Sequence, residues 1–321
     1  MHGLIPSPRR AVPGITSFLR PARLLVALAM LVLFGVVAVV LTLGARSYST
    51  RAVPAFGHIW VVFMENRDYG QVIGSPDAPY VTRLARGHGL ATQYFGVVHG
   101  SQPNYIGFFS GATYGVTGGS TPNLPGRNLA DQLDAAHRSW HVYAQNYPGG
   151  CFNKTTASGG PDGPGTWVRR HTPALAFTDI RSDPMRCANI TDFQEFDPAA
   201  ADFELIVPNL TDSGHDGTTR QADDFLRSFV PKITSSNAWR DGGVLFVVWD
   251  EGTERGPNRV PLLVISPMVR AGTRIAERYN HYSLLATIES AWHLGCLGSA
   301  CDANTLAAFF ARNPGGSGSP S

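Results

Sequence analysis

Two long apolar runs, each ending in acidic or amide side chains, constrain this chain more than any other feature. They read HIWVVFMEN at residues 58–66 and GVLFVVWDEG at 243–252. A strand that is apolar on both faces needs cover on both, as inside a parallel sheet flanked by helices. A third run, RVPLLVISP at 259–267, follows a short loop. Helical patterns lie between and after them, at Tyr80–His88, Asn128–Arg138, Thr218–Ile233 and Ser283–His293. This alternation predicts an α/β fold, a layered sandwich on a mostly parallel sheet with ligands at the strands' carboxyl ends.

One segment stands outside that domain. From Leu24 to Leu43 no residue is charged and Thr42 is the only polar side chain. A helix of about 20 residues at ~1.5 Å rise spans the roughly 30 Å hydrocarbon core of a bilayer. A cleaved signal usually has a shorter apolar core of about 7–15 residues and a small-residue cleavage site, which is not clear here. Residues 24–44 are therefore expected to be a transmembrane anchor. Arg9, Arg10, Arg20 and Arg23 precede it and only Arg46 and Arg51 closely follow. That asymmetry keeps residues 1–23 cytoplasmic and places the rest outside the cell membrane. Residues 45–56 then form a linker, 57–312 the catalytic domain and 313–321 a disordered tail.

The four cysteines, Cys151, Cys187, Cys296 and Cys301, all lie on the exported side, where disulfides persist. Of the three possible pairings, Cys151–Cys187 with Cys296–Cys301 is the simplest, because each bond closes a local loop. Residues 147–195, rich in Gly, Pro and Asp, read as a loop-rich insertion beside the site. The formal net charge of +2 gives no electrostatic basis for binding nucleic acid.

The strand ends carry the chemistry. Glu65 and Asn66 end one run; Asp250 and Glu251 end the other. Either pair alone is an ordinary strand terminus. If the strands share a sheet, the side chains converge, and crowded carboxylates call for a hard divalent cation. Ser101 follows an extended segment and opens an apolar, helical stretch, so it is either a simple N-cap or a nucleophile near helix N–H groups. Coordination of its hydroxyl to a metal would lower the pKa and supply an alkoxide. In PNLTDSGHDG, residues 208–217, Asp212 and His215 stand three apart in a turn and suit phosphate contact, metal binding or proton transfer. His281 precedes a helix. His99 lies two residues before Ser101, close enough to touch a substrate.

Taken together, FMENRDYGQVIG, HGSQPNY, VPNLTDSGHDG, VVWDEG and YNHYSLLATIES resemble, in order, the bacterial phosphoesterase family that contains acid phosphatases and phospholipases C. The resemblance runs from about His58 to Ser290 and implies an alkaline-phosphatase-like fold. It also implies that Glu65, Asn66, Asp250 and Glu251 bind metal and that Ser101 forms a phosphoseryl intermediate. Asn104 would steady phosphate oxygens, and His215 would contact the phosphate or a second metal, with Asp212 and His281 beside it. Two positions depart from the family pattern: Gly100 stands where Pro is frequent, and Glu251 where some members have Asp. Neither removes a functional group.

The expected activity is a metal-dependent phosphomonoesterase acting on phosphorylated small molecules. The alternatives are a phospholipase C or phosphodiesterase acting on lipid head groups, and a surface protein that binds phosphorylated ligands without catalysis. The oxygen-rich ligand set favours Mg, Ca or Mn, whereas a His-bearing second site would take Zn.

Overall fold

The computed structural model describes residues 52–160, 163–253 and 255–311. The expected anchor, the cytoplasmic segment, most of the linker and the tail lie outside them. No helix among the described residues is long and apolar enough to cross a membrane.

The chain runs β1 (Ile59–Met64), α1 (Pro79–Gly87), β2 (Gly89–Phe95), α2 (Ser101–Ser110), α3 (Leu129–Ala135) and β3 (Trp140–Ala144). A separate two-stranded pair follows, β4 (Thr156–Ser158) and β5 (Thr166–Val168), then β6 (Ile190–Thr191) and β7 (Phe203–Val207). The last part holds α4 (Thr219–Thr234), α5 (Asn237–Arg240), β8 (Val244–Trp249), β9 (Arg259–Ile265), β10 (Arg274–Ile275), β11 (Tyr279–Asn280) and α6 (His281–Trp292).

Nine strands form the main sheet in the order β10-β2-β9-β8-β1-β7-β3-β6, with β11 also on β2. It is mostly parallel. Only β9 runs against its neighbours β8 and β2. Every residue of β1, β7 and β8 is buried, so the centre of the sheet is covered on both sides. The alternation of side chains along β1 tells which helices supply that cover. Trp60 meets Trp239 of α5, whereas Phe63, of opposite parity, packs on Tyr105 and Phe108 of α2. Two helical layers therefore sandwich the sheet, as the apolar runs require.

Helix boundaries fall within a few residues of the sequence pattern. α3 is the largest difference: it ends at Ala135, and His137 takes a left-handed φ of 54°, a turn the amphipathic pattern does not reveal. α6 begins two residues early, because the Asn280 side chain accepts from the N–H groups of Tyr282 and Ser283 and caps it.

The disulfides join Cys151 to Cys187 and Cys296 to Cys301. Within the Gly- and Pro-rich insertion, Trp167 to Arg169 and His171 to Phe177 are buried. Much of this segment is thus core rather than surface loop, and β6 adds it to the edge of the main sheet through β3.

Candidate active site

Strand order explains how distant motifs meet. β8, β1 and β7 are adjacent and parallel, so the residues just after each strand emerge side by side at one edge of the sheet. Met64 pairs with Trp249, which makes Glu65 and Asp250 neighbours. The Asn66 N–H donates to Asp250 Oδ1 at 3.1 Å, and Glu65 N–H reaches Ser213 O at 3.0 Å, drawing in the 208–217 turn. Asn66 has a left-handed φ of 45°, a conformation that Asn tolerates better than most residues.

Ser101 opens α2 directly opposite. Its Oγ lies 3.1 Å from Glu65 Oε2 and 3.1 Å from Glu251 Oε1. The Asn66 amide has two uses: Oδ1 accepts from Ser101 at 3.3 Å, or, turned over, its nitrogen donates to Glu65 Oε2 and Asp250 Oδ1. Gly100, at φ 102°, donates its N–H to Glu251 Oε2 at 2.5 Å. A proline here would lack both that N–H and that φ. The departure from the family pattern is therefore structurally coupled to Glu251.

The remaining candidates fall at different depths. His99 Nδ1 stands 3.5 Å from Glu251 Oε2 and is part-exposed at the rim. Asn104 shapes the loop before Ser101: its Oδ1 accepts from Val97 and Val98, and its Nδ2 donates to Val98 O and Gly100 O. Asp212 accepts from Gln145 Nε2 at 2.8 Å. His281 is fully buried behind the strand end, between Tyr94 OH at 2.9 Å and the Asp250 carbonyl at 2.5 Å. Burial pushes its pKa down to about 4, against a smaller upward pull from that carbonyl. It stays neutral and holds Asp250 in place.

Three participants were not assigned from the sequence. Tyr105 donates to Glu65 Oε1 at 2.5 Å, and it lies one helical turn from Ser101, an i,i+4 spacing that was available as a signal. His171 Nδ1 lies 3.2 Å from the same oxygen, and its ring stacks on Tyr105. Arg170 lies 3.3 Å from His215 Nε2, whose other ring nitrogen contacts Asp216 at 2.6 Å. Nothing around residue 170 in the sequence announces this.

Burial and then the charge of Asp250 hold the Glu65 carboxyl well above its usual range. Burial and then Glu251 push Asp250 up to about 7. Burial, with Arg170 and His215, pushes the His171 imidazole well down, leaving it neutral. Within this cluster, Asp250 Oδ2 and His171 Nε2 are buried without a hydrogen-bond partner. Orphaned acceptors among crowded carboxylates fit a cation, since buried polar atoms are otherwise almost always paired. One donor atom from each of Glu65, His171 and His215 also lies within 4.8 Å of the other two, a nitrogen-bearing set. The residues present therefore suit divalent metal.

The model of the phosphoesterase family matches residues 74–295, and the chain belongs to that family of phosphoric ester hydrolases. Among curated proteins it is similar to a phosphatidylinositol-3-phosphatase of Mycobacterium tuberculosis, 28% identical over 78% of this chain and 82% of the relative. It is also similar to a phosphate-repressible acid phosphatase of Penicillium chrysogenum, 29% identical over 78% of this chain but only 63% of that enzyme. In fold it resembles a lipoteichoic acid synthase from Listeria monocytogenes, with a TM-score of 0.53 at 12% identity, covering 77% of this chain and 74% of that one.

Proposed function

We propose that this chain is a metal-dependent phosphomonoesterase that works through a phosphoserine at Ser101. The observation that carries this reading is the Ser101 hydroxyl held 3.1 Å from two carboxylates, Glu65 and Glu251. Asn66, Gly100 and Glu251 also line a cavity of about 430 Å³ that gives room for a substrate. As Oγ bonds to phosphorus and the ester P–O bond breaks, the Ser101 proton passes to the carboxylate it already faces, and the departing alkoxide takes a proton from water to leave as the alcohol. Water then attacks the phosphoserine, releases inorganic phosphate and restores the hydroxyl. Tyr105 and His171 hold Glu65, while His281 holds Asp250. A divalent cation, when bound by Glu65, Asn66, Asp250 and Glu251, neutralises the crowded charge and lowers the hydroxyl pKa.

The same proposal takes the fold to be alkaline-phosphatase-like and the protein to sit in the cell membrane by residues 24–44. The catalytic domain would then face outward, in reach of phosphorylated solutes and lipid head groups. The two disulfides support an oxidising location. The name of the mycobacterial relative, a phosphatase of a phosphorylated lipid, is compatible with a substrate at the membrane.

The test uses full-length protein in detergent, stripped of metal and reconstituted. p-Nitrophenyl phosphate should be cleaved faster than bis-p-nitrophenyl phosphate or phosphatidylcholine, and a chelator should stop the reaction. Preference for either diester would replace the monoesterase by a phospholipase-type enzyme. No hydrolysis with any metal would leave a binding protein. Ser101→Ala should lower kcat by about a thousandfold or more with folding intact; full activity in that variant would end the assignment of the nucleophile.

A further inference from the structure

Glu65, Asp250 and Glu251 make the surroundings of Ser101 strongly negative, yet a phosphate monoester must enter carrying further negative charge. Arginine is the side chain best shaped to meet it, because its planar fork matches two phosphate oxygens. The arginines near the site differ in whether they are free to do so. Arg67 is spent on structure, donating to Asn66 O, Gly217 O and Thr219 Oγ1. Arg169 is buried and donates to Pro122 O and Leu175 O. Arg255 lines the same cavity as Asn66, Gly100 and Glu251, and is exposed.

Arg170 is different. It is half-buried, and among the described residues its one hydrogen-bond partner is His215 Nε2, at 3.3 Å. That contact uses one of five guanidinium donors. The tight turn Arg169–His171 fixes where it points: Arg169 is tied down on one side of it and His171 contacts Glu65 on the other. The Trp167 indole N–H, donating to Thr172 Oγ1 at 2.9 Å, braces the same turn. His215 in turn supplies a donor atom within 4.8 Å of one from Glu65, and Glu65 Oε2 lies 3.1 Å from Ser101 Oγ. A series of short contacts, from Arg170 to His215, from His215 to Glu65 and from Glu65 to Ser101, thus links the guanidinium to the reacting hydroxyl.

We propose that Arg170 is the phosphate-anchoring residue of this site, turning its fork from His215 to the oxygens of the phosphate that Ser101 receives. The inference rests on the phosphoesterase reading and adds to it a cation not already committed to the backbone, as Arg67 of the first-strand motif is. His215, relieved of Arg170, keeps Asp216 on its other nitrogen and so remains oriented.

The experiment measures binding of inorganic phosphate by calorimetry to full-length, metal-loaded protein in detergent. Wild type is compared with Arg170→Ala and Arg170→Lys, with metal content measured by mass spectrometry for each. Arg170→Ala should weaken phosphate binding about 10- to 100-fold, the worth of one or two charge-assisted hydrogen bonds. Metal content should be unchanged, KM should rise, and Arg170→Lys should recover part of the affinity. Phosphate binding by Arg170→Ala equal to that of wild type would overturn the inference. So would loss of metal with unaltered phosphate affinity of the metal-loaded fraction, which would make Arg170 a positioning residue for His215. If Arg170→Ala does not fold, Arg170→Lys decides: binding equal to wild type in a side chain without the fork excludes the bidentate anchor. Wild-type protein that neither binds phosphate nor cleaves esters would instead overturn the phosphoesterase reading itself.

Discussion

Among the described residues, two clusters of three carboxylates are built on opposite principles. Asp131, Asp134 and Asp179 gather around the single guanidinium of Arg186, with Asp131 at 2.8 Å, Asp134 at 3.1 Å and Asp179 closer still. Arg186 stands next to the Cys151–Cys187 bond, so this cluster ties the insertion to α3. Glu65, Asp250 and Glu251, in contrast, face backbone amides, the Ser101 and Tyr105 hydroxyls and the imidazoles of His99 and His171, and among the described residues no arginine or lysine pairs with them. Like charges at close range and low dielectric are costly. The first cluster is bridged by a cation of the chain itself and serves structure. The second has no such bridge, and that is the charge the proposed divalent cation would supply.

Swapping charge in each cluster should break this contrast or sharpen it. The largest effect is expected at Asp250, whose carboxylate is buried with one oxygen unpartnered. Asp250→Asn should lower kcat/KM by about a hundredfold or more, on the scale of a buried electrostatic contact to the transition state. It should also raise the denaturation midpoint of the metal-free protein above pH 7, because a repelling charge is gone. Loss of activity together with loss of metal-free stability would contradict the picture of a strained, incomplete site.

Arg186→Met should do the reverse. Urea titration should show a loss of about 1–3 kcal/mol, since three part-exposed carboxylates lose their common partner and solvent screens part of the effect. The specific activity of the folded fraction should be unchanged. A change in kcat at constant stability would mean that the two clusters communicate.

A smaller effect is the pH dependence of metal-free stability. Asp250 is pushed up to about 7 and Glu65 is also raised, so the folded state holds more protons than the unfolded chain between about pH 4 and 7. Stability from these groups is complete below their unfolded values and is lost as pH rises through their folded ones. Melting temperatures should therefore fall between pH 5 and 8 without metal, and divalent cation should remove that slope. A slope that survives saturating metal would trace to other groups; the buried Glu204, raised to about 8 by burial and remote from Ser101 in sequence, is the first to replace, by Gln.

Much of the site was legible before folding because strand ends are local features. Glu65, Asn66, Asp250 and Glu251 each terminate an apolar run, and a parallel sheet must bring such ends to one edge. Ser101 was legible as the start of a helix, and both disulfides as the pairs that close short loops. His171 and Arg170 were not, because they sit on a short turn inside a Gly- and Pro-rich segment with no periodicity to mark burial. Their approach to Glu65 depends on how that segment folds back against α2. Roles also changed with depth: His281 and Asn104 carry reactive or polar groups, but those groups are taken up by Tyr94, Asp250 and the loop at 97–100.

The sequence by itself determined the covered sheet, through strands apolar on both faces, and the acidic edge, through the residues that end them. Only the tertiary structure decided that β7 lies beside β1 and that the turn at 169–171 closes over it. It thereby decided which histidines meet Glu65 and that the Arg170 guanidinium meets His215. The physical reason is that hydrophobic periodicity encodes burial residue by residue, whereas proximity between side chains far apart in the chain is set by strand order and loop path.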